Sequence, residues 1–150
     1  MRTAIFTALL MLFTAASAQA GDGMINIESA FNVQETADRL ETTLQEKGMT
    51  VFNRINHAQG AANVDIELRD TELLLFGNPK VGSPLMQCQQ SVAIDLPQKA
   101  LIWQDEENKV WISYNNPRYL EQRHEIAGCE AVIAKIEKAL AGMVTTAATE

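Results

Sequence analysis

The sequence predicts an α+β domain, namely a mostly antiparallel sheet with helices packed on one face. Strand-like and helix-like segments follow one another as strand, helix, strand, strand, short helix, hairpin and two helices, without the regular alternation that a parallel sheet requires. The strand segments alternate apolar and polar residues, and the helical segments carry one apolar stripe. The predicted order is therefore strand-helix-strand-strand-strand-strand-helix with extra short helices.

The first strand and the first helix are predicted soon after Gly21. Three apolar residues share one side of a period-two alternation, which indicates a half-buried strand: Ile25, Ile27 and Phe31. The apolar positions then change to helical spacing: Val33, Ala37, Leu40 and Leu44. Asn32 and Glu35 have the spacing of a capping box, and Gly48 supplies a left-handed stop. A helix is therefore predicted between Asn32 and Gly48.

Two further strands are predicted in the middle of the chain. Residues 49–56 form one of them, with three apolar side chains on one face: Met49, Val51 and Ile55. Residues 58–63 are small and include glycine, which indicates a loop or a short helix. Residues 71–76 are apolar on both faces, as in a central strand, and Gly77-Asn78-Pro79 ends that strand.

Two helix starts are predicted where a capping residue precedes a proline, which suits the first helical turn. Ser83 precedes Pro84 and opens a short helix that carries Cys88. Asn116-Pro117 has the same pattern and predicts the start of a helix that runs through His124.

A hairpin is predicted from residues 99–104 and 109–114, joined by the charged tip 105–108. Trp103 and Trp111 stand on its opposite arms, where a four-residue turn places them across from one another. We expect a cross-strand pair; the alternative is an exposed aromatic surface for a dimer or a ligand.

The last helix is predicted after Gly128. Its inward positions are Val132, Ile136, Leu140 and Met143. The tail, from about residue 144 to Glu150, is predicted to be disordered.

The N-terminus has the three parts of a cleaved secretory signal peptide, residues 1–20. Arg2 supplies the positive charge, residues 4–16 form an apolar run too short for a membrane span, and Ala18-Gln19-Ala20 is typical of a cleavage site. A buried N-terminal helix is the alternative. We expect a mature periplasmic chain that begins at Gly21 and forms a single domain over residues 21–150, with no further stretch of membrane length.

The chain is acidic, with a formal net charge of −7, and losing Arg2 with the signal peptide makes it −8. An acidic surface repels phosphate backbones, so nucleic acid is not an expected partner, and anionic lipid surfaces are disfavoured in the same way. No cofactor motif occurs, and two histidines without metal-ligand spacing give no metal signature. We therefore expect no cofactor and no metal.

Cys88 and Cys129 are the two cysteines, an even number in a compartment where thiols are commonly oxidised. A disulfide between them is predicted, and closing a loop of this length contributes about 4 kcal/mol on the chain-entropy estimate. A redox pair and two free thiols are the alternatives, although the Cys-x-x-Cys spacing that activates a redox thiol is missing.

Four segments resemble the bacterial domain of unknown function 302 family, in the family's order. They read NRINHAQGA (53–61), TELLLFGNPKVGSPLMQ (71–87), DLP (95–97) and VWISYNNPRYLEQRH (110–124). The resemblance implies a strand, a helix, four strands and a helix, and a tendency to form homodimers, but no established activity. Asp70 stands where the family pattern suggests proline, Ser83 where threonine is usual, and the paired cysteines are not part of that pattern.

The candidate site residues lie where these segments end. His57 and His124 are the only histidines, and a shared pocket would also include Asn78, Tyr114 and Arg123. An imidazole can exchange a proton near neutral pH, and an arginine suits an anionic ligand. A third metal ligand, Asp65 or Asp95, would be a guess. Structural roles are the alternatives: backbone hydrogen bonds for the histidines, an ion pair for Arg123, turn geometry for Asn78 and core packing for Tyr114.

The sequence supports three hypotheses about function. The leading one is a periplasmic small-ligand-binding or accessory module that forms a homodimer. The second is an enzyme that uses His57 or His124 as acid or base on a small molecule; the common catalytic motifs are missing. The third is a structural partner protein without a ligand, with the two tryptophans at an exposed interface.

Overall fold

The computed structural model of the chain describes residues 23–149, so the predicted signal peptide and Glu150 lie outside the described residues. Eleven elements follow one another in this part of the chain: β1 (Met24–Ser29), α1 (Val33–Glu46), β2 (Thr50–Asn56), α2 (His57–Ala62), β3 (Thr71–Gly77), α3 (Pro79–Cys88), a 3₁₀ helix (Gln90–Asp95), β4 (Gln98–Gln104), β5 (Val110–Asn115), α4 (Pro117–Arg123) and α5 (Glu130–Ala148). Between residues 23 and 149, no helix has the length and apolar character to cross a membrane.

The five strands form one sheet in the order β1-β5-β4-β3-β2, and every neighbouring pair is antiparallel. The α+β class and the antiparallel sheet are therefore confirmed. The predicted hairpin is β4 and β5, in which Ile102 faces Ile112 and Trp103 faces Trp111 directly. The expected tryptophan pair is thus confirmed. Residues 58–63, left open between loop and short helix, belong largely to α2.

One face of the sheet is covered by helices. Along β3, Leu74 and Phe76 are buried, whereas Leu73 and Leu75, which alternate with them, are only half-buried. The buried face continues through Ile102, Ile112 and Tyr114 and packs against apolar residues of α1 and α5: Leu40, Leu44, Ile133 and Leu140. Period-two alternation thus separates the core face from an open face, as expected for helices on one side of an antiparallel sheet.

The first helix begins and ends where the sequence predicts. The Asn32 side chain accepts a hydrogen bond from the Glu35 amide at 2.9 Å, which satisfies one of the free donors of the first turn. Gly48 follows the helix with a φ of 75°, a conformation that glycine adopts without strain. Phe31 was expected on the face of the first strand, but that strand ends at Ser29.

The third helix begins earlier than predicted. It starts at Pro79, not at Pro84, because the Asn78 side chain accepts a hydrogen bond from the Lys80 amide at 2.9 Å and caps the first turn. Pro84 therefore lies inside the helix, where its missing N–H removes one intrahelical bond. Asn116-Pro117 is the same capping motif. The Asn116 side chain accepts a hydrogen bond from the Arg118 amide at 2.9 Å, and α4 begins there as predicted.

The expected disordered tail is helical instead. Helix α5 continues to Ala148, and three residues of its last turns are buried: Val144, Ala147 and Ala148. The prediction overlooked that these small residues continue the apolar stripe of the helix. In addition, the Ala30 amide donates to the Ala148 carbonyl at 2.9 Å, which fixes the helix end to the segment after β1.

Candidate functional site

The side chains of His124, Asp95 and Ser91 form a hydrogen-bonded chain at one end of the sheet. His124 Nε2 lies 2.6 Å from Asp95 Oδ2, and His124 Nδ1 lies 3.0 Å from Ser91 Oγ. The His124 side chain is 7% exposed and that of Asp95 is 13% exposed. An ionised carboxylate only accepts hydrogen bonds, so this geometry suits the tautomer in which Nε2 donates to Asp95 and Nδ1 accepts from the Ser91 hydroxyl.

Arg123 joins the same cluster from its exposed side. Its Nη1 lies 3.4 Å from Asp95 Oδ1, so the predicted ion-pair alternative for this residue describes what the side chain does. Asp95 is itself anchored, because Lys99 Nζ donates to its backbone oxygen at 3.1 Å. One carboxylate thus contacts both a cation and an imidazole, and the imidazole in turn contacts a hydroxyl.

Two short elements carry these residues. Helix α4 ends at Arg123, and His124 is its C-cap residue, with its amide bonded to the Leu120 carbonyl at 3.1 Å. Ser91 and Asp95 both belong to the 3₁₀ helix that follows α3. A Cys88–Cys129 disulfide joins the end of α3 to the start of α5 beside this cluster. The predicted disulfide is therefore present in the structure.

His57 lies elsewhere. His57 is exposed at the start of α2, directly after the end of β2, where Asn56 lies opposite Glu72 at the start of β3. Asn78 and the 3₁₀ helix lie at the other end of the sheet, after β3 and before β4. Strands of six or seven residues separate these ends by roughly 20 Å. The expectation that His57 and His124 flank one pocket was therefore wrong, because the sheet lies between them.

Tyr114 and Asn78 also occupy separate places. Tyr114 is 3% exposed on the helix-covered face of β5, so it packs in the core as its structural alternative predicted. Burial raises the pKa of its hydroxyl above the ordinary value, and the Glu137 carboxylate adds to that effect. Asn78 caps α3, donates to the Gly48 carbonyl at 2.9 Å and lines a cleft.

That cleft has a volume of about 970 Å³ and lies between the β2 edge of the sheet, α3 and α5. Its walls are mainly apolar, with these larger side chains: Met49, Phe52, Leu85, Met86, Leu140 and Met143. Three lysines also line it: Lys47, Lys135 and Lys138. Ala93 and Leu96, from the segment that carries Ser91 and Asp95, form part of one wall, so the cleft and the His124 cluster share an element.

Small residues keep the cleft open. Gly142 on α5 and Gly82 on α3 line it, and a Cβ atom at Gly142 would have no neighbour within 4 Å. On α5, Lys135, Ala139 and Gly142 follow one helical stripe beside the buried one. Sequence reasoning recognised only the buried stripe. Ala139 and Gly142 in the second stripe are the sequence signal that would have indicated a cleft.

The open face of the sheet carries the tryptophan pair. Trp103 Nε1 donates to Ser113 Oγ at 2.8 Å, and Trp111 Nε1 donates to Asp105 Oδ2 at 2.7 Å. Both indoles are half-buried, and their polar atoms are satisfied within the chain. Between residues 23 and 149, no group of three histidine, cysteine or acidic side chains has the arrangement of a metal site.

The chain forms a small α+β domain with a mainly apolar cleft beside the β2 edge of its sheet. The family described as "Domain of unknown function DUF302" matches residues 25–143, and the chain belongs to this family. A solved structure of an uncharacterised conserved DUF302 protein from Bacillus stearothermophilus shares the fold. Its TM-score is 0.77 and its identity 20%, and the match covers 85% of this chain and 99% of that one.

Curated relatives at 39% identity are Brucella proteins named as fluoride-specific ion channels. FluC 1 of Brucella suis matches over 123 residues, which cover 82% of this chain and 48% of that protein. FluC 1 of Brucella abortus matches over the same share of this chain and 46% of its own length. This chain therefore spans about half the length of the curated relatives it matches.

Proposed function

We propose that this protein is a periplasmic small-ligand-binding module and that its ligand occupies the cleft between α3, α5 and the β2 edge. The cleft volume of about 970 Å³ is the observation that carries this proposal. Clefts of roughly 300–1,000 Å³ with apolar walls and a few polar groups are the common form of a small-molecule site. Asn78 and Gln98 supply polar groups along walls that are otherwise mainly apolar.

The fluoride conduction named for the Brucella relatives is not part of this proposal, because the match leaves about half of each relative without a counterpart. An accessory role beside a larger partner is compatible with a domain of this size. The cleft supplies a more specific starting point, since its side chains define what a ligand contacts.

Binding of a neutral fluorescent probe, N-phenyl-1-naphthylamine, tests the proposal on protein purified from its full coding sequence. We expect saturable binding by the wild type and a loss of at least tenfold in affinity for Gly142→Trp, whose side chain would project into the cleft and occupy part of it. Gly60→Trp is the matched control, because a Cβ at Gly60 also meets nothing within 4 Å and Gly60 lies outside the cleft. A folded Gly142→Trp variant that binds the probe like the wild type would overturn the proposal.

Export to the periplasm is part of the same proposal. The signal-like residues 1–20 support export, and the Cys88–Cys129 disulfide suits an oxidising compartment. We expect intact-mass analysis of the periplasmic fraction to find a chain that starts at Gly21. An unprocessed chain starting at Met1 in the cytoplasm contradicts export.

The half-buried apolar side chains of the open sheet face support a homodimer, because a second copy would cover Leu75, Leu101 and Trp103. Light scattering on the eluting protein is expected to give about twice the mass of one chain. A single-chain mass at concentrations up to the millimolar range contradicts the dimer.

A second candidate function is hydrolysis of an activated ester, and the Ser91–His124–Asp95 chain favours it. In that reaction the Ser91 oxygen attacks the acyl carbonyl, its proton passes to His124 Nδ1 and then to the leaving alcohol, and water releases the acid from Ser91. Asp95 would orient the ring and stabilise its cationic form. This arrangement differs from the usual triad, since here Nδ1 rather than Nε2 faces the hydroxyl.

A fluorophosphonate probe tests this candidate, because it labels nucleophilic serines. We expect peptide mass spectrometry to find the label on Ser91 in the wild type and to find none in His124→Ala. The exposed Ser83 serves as an internal control that stays unlabelled. If Ser91 stays unlabelled in the folded wild type, Ser91 is not a nucleophile and the ester-hydrolysis candidate is overturned.

A further inference from the structure

We propose that the cleft binds a long-chain carboxylate, whose hydrocarbon chain lies along the apolar walls and whose anionic head is held by Lys47, Lys135 and Lys138. This inference rests on the proposed binding function and adds the chemical class of the ligand. It is carried by the distribution of charge around the cleft.

The charge around the cleft is opposite to that of the whole protein. The chain has a formal net charge of −7, and its six lysines are residues 47, 80, 99, 109, 135 and 138. Half of these lysines line this one cleft, and no aspartate or glutamate of the described residues lines it. An acidic protein thus presents a local cationic site beside a concave, mainly apolar surface.

The three lysines are available to an anion. All three are exposed, and none takes part in the ion pairs formed among residues 23–149. Lys135 and Lys138 lie three residues apart on α5, so they project from neighbouring positions of one helix face. Lys47 follows the end of α1. Ammonium groups on flexible stems can reach an anionic head while their methylene groups cover apolar surface.

The walls suit a flexible chain. Three methionines line the cleft, and unbranched thioether side chains adapt to ligands of variable shape: Met49, Met86 and Met143. Two apolar side chains of the lining remain exposed to solvent, with Phe52 57% exposed and Val81 37% exposed. A bound hydrocarbon chain would remove this apolar surface from water, which contributes roughly 25 cal/mol for each Å² buried.

Other occupants fit less well. The N-terminal apolar segment of this chain carries Arg2 as its only charged residue before Gly21, so it has no anion for the lysines. An anionic membrane surface would meet the repulsion of the whole acidic protein. The proposed carboxylate avoids this repulsion. It interacts mainly with the nearby lysines, because screening limits charge interactions to about 10 Å at 0.1 M salt.

Paired ligands of equal chain length test the inference on delipidated protein. Dodecanoate and dodecanol displace the neutral N-phenyl-1-naphthylamine probe, and they differ only in the head group. We expect the wild type to bind dodecanoate at least tenfold more tightly than dodecanol, and we expect high salt to reduce that preference. In Lys135→Gln/Lys138→Gln, dodecanoate affinity should fall towards that of dodecanol, while dodecanol affinity stays unchanged.

A matched variant and the possible failures complete the test. Arg69→Gln/Lys109→Gln changes the net charge by the same amount away from the cleft lining, and it should keep the dodecanoate preference. Equal wild-type affinities for the acid and the alcohol overturn this inference and leave the proposed binding function standing. Failure to bind the probe or either ligand overturns both. Sedimentation with phosphatidylglycerol vesicles without binding of free dodecanoate overturns the carboxylate in favour of a membrane surface.

Discussion

Arg39 on α1 donates its Nε–H to the backbone oxygen of Ala147 on α5 at 3.0 Å. Its Nη2 also donates to the Thr149 carbonyl, and its guanidinium stacks over the Phe31 ring at 3.9 Å. The last turn of α5 has no basic residue of its own, so a cation from another helix meets the free carbonyls at its negative end. This relationship stabilises the last turn of α5.

Arg39→Met should therefore loosen the end of α5. We expect faster amide hydrogen exchange over residues 144–148 and a loss of about 1 kcal/mol in the free energy of unfolding, because charged hydrogen bonds to helix-end carbonyls are removed. Arg69→Met is the control, since Arg69 is exposed and its contacts, with the Gln104 carbonyl at 3.2 Å and the Glu106 carboxylate at 3.7 Å, do not involve α5. Unchanged exchange at 144–148 in Arg39→Met contradicts this explanation.

Arg54→Met should be among the more destabilising changes of a single charged side chain. Arg54 Nε lies 2.5 Å from the Glu72 carboxylate, and that side chain is 8% exposed. This hydrogen bond is the main reason why the pKa of Arg54 is raised. Removing the cation leaves Glu72 buried without its partner, which costs on the order of 3 kcal/mol.

A double-mutant cycle, measured by urea unfolding, gives the coupling free energy between Arg54 and Glu72. Glu72→Gln should lower the free energy of unfolding less than Arg54→Met does. The double variant should lose less than the sum of the two single losses, because no buried charge remains unpaired. Arg118→Met offers a contrast: it pairs with Glu121 and Glu137 but is 39% exposed, so a loss below about 1 kcal/mol is expected. Additive losses in the cycle would show that the pair has no coupling.

Removal of the Cys88–Cys129 disulfide should lower stability without changing the fold. Its partners are 41 residues apart, so the bond restricts the unfolded chain strongly. Cys88→Ser/Cys129→Ser is expected to lose about 2–4 kcal/mol of unfolding free energy. Wild-type protein measured under reducing conditions should show a similar loss. Free thiols in protein purified without a reductant contradict the disulfide.

Asp105 provides a test at low pH. The Trp111 indole N–H is the main cause of a lowered pKa for the Asp105 carboxyl, and the Lys109 and Glu107 amides contribute. Because the folded pKa is lowered, this carboxylate stabilises the fold above the ordinary aspartate pKa of about 3.9 and the effect is lost as pH falls through the folded value.

Trp111→Phe should therefore raise the pKa of Asp105 towards its ordinary value. Carbon-13 NMR of the Asp105 carboxyl during acid titration measures this directly. Trp103→Phe is the control, because the Trp103 indole donates to the Ser113 hydroxyl and not to a carboxylate. A Trp111→Phe titration that coincides with the wild type excludes the indole as the cause.

Gly142→Ala should stabilise the chain, in contrast to Gly128→Ala. Gly142 lies inside α5 with open space at its Cβ position, so alanine should gain about 0.5–1 kcal/mol in the free energy of unfolding from its higher helix propensity. Gly128 has a φ of 77°, where alanine is strained, so a loss of about 1 kcal/mol is expected. Thermal or urea unfolding distinguishes the two signs.

Several elements were predictable from the sequence because their causes are local. The capping of α1 by Asn32 and its end at Gly48 depend on residues within a few positions, and so does the start of α4 at Asn116-Pro117. Period-two alternation likewise predicted the β4–β5 hairpin and its Trp103–Trp111 pair. The helix start predicted at Ser83-Pro84 was wrong, because Asn78-Pro79, which was predicted only to end a strand, caps and opens α3.

The sequence by itself thus determined the α+β class, most helix and strand positions and the pairing of the two cysteines. Only the tertiary structure decided which residues meet. It brought His124 to Asp95 and Ser91, separated His57 from them by the length of the sheet, and opened a lysine-lined cleft beside α5. The physical reason is that caps and periodicity act over one or two helical turns, whereas these contacts depend on how distant elements cross.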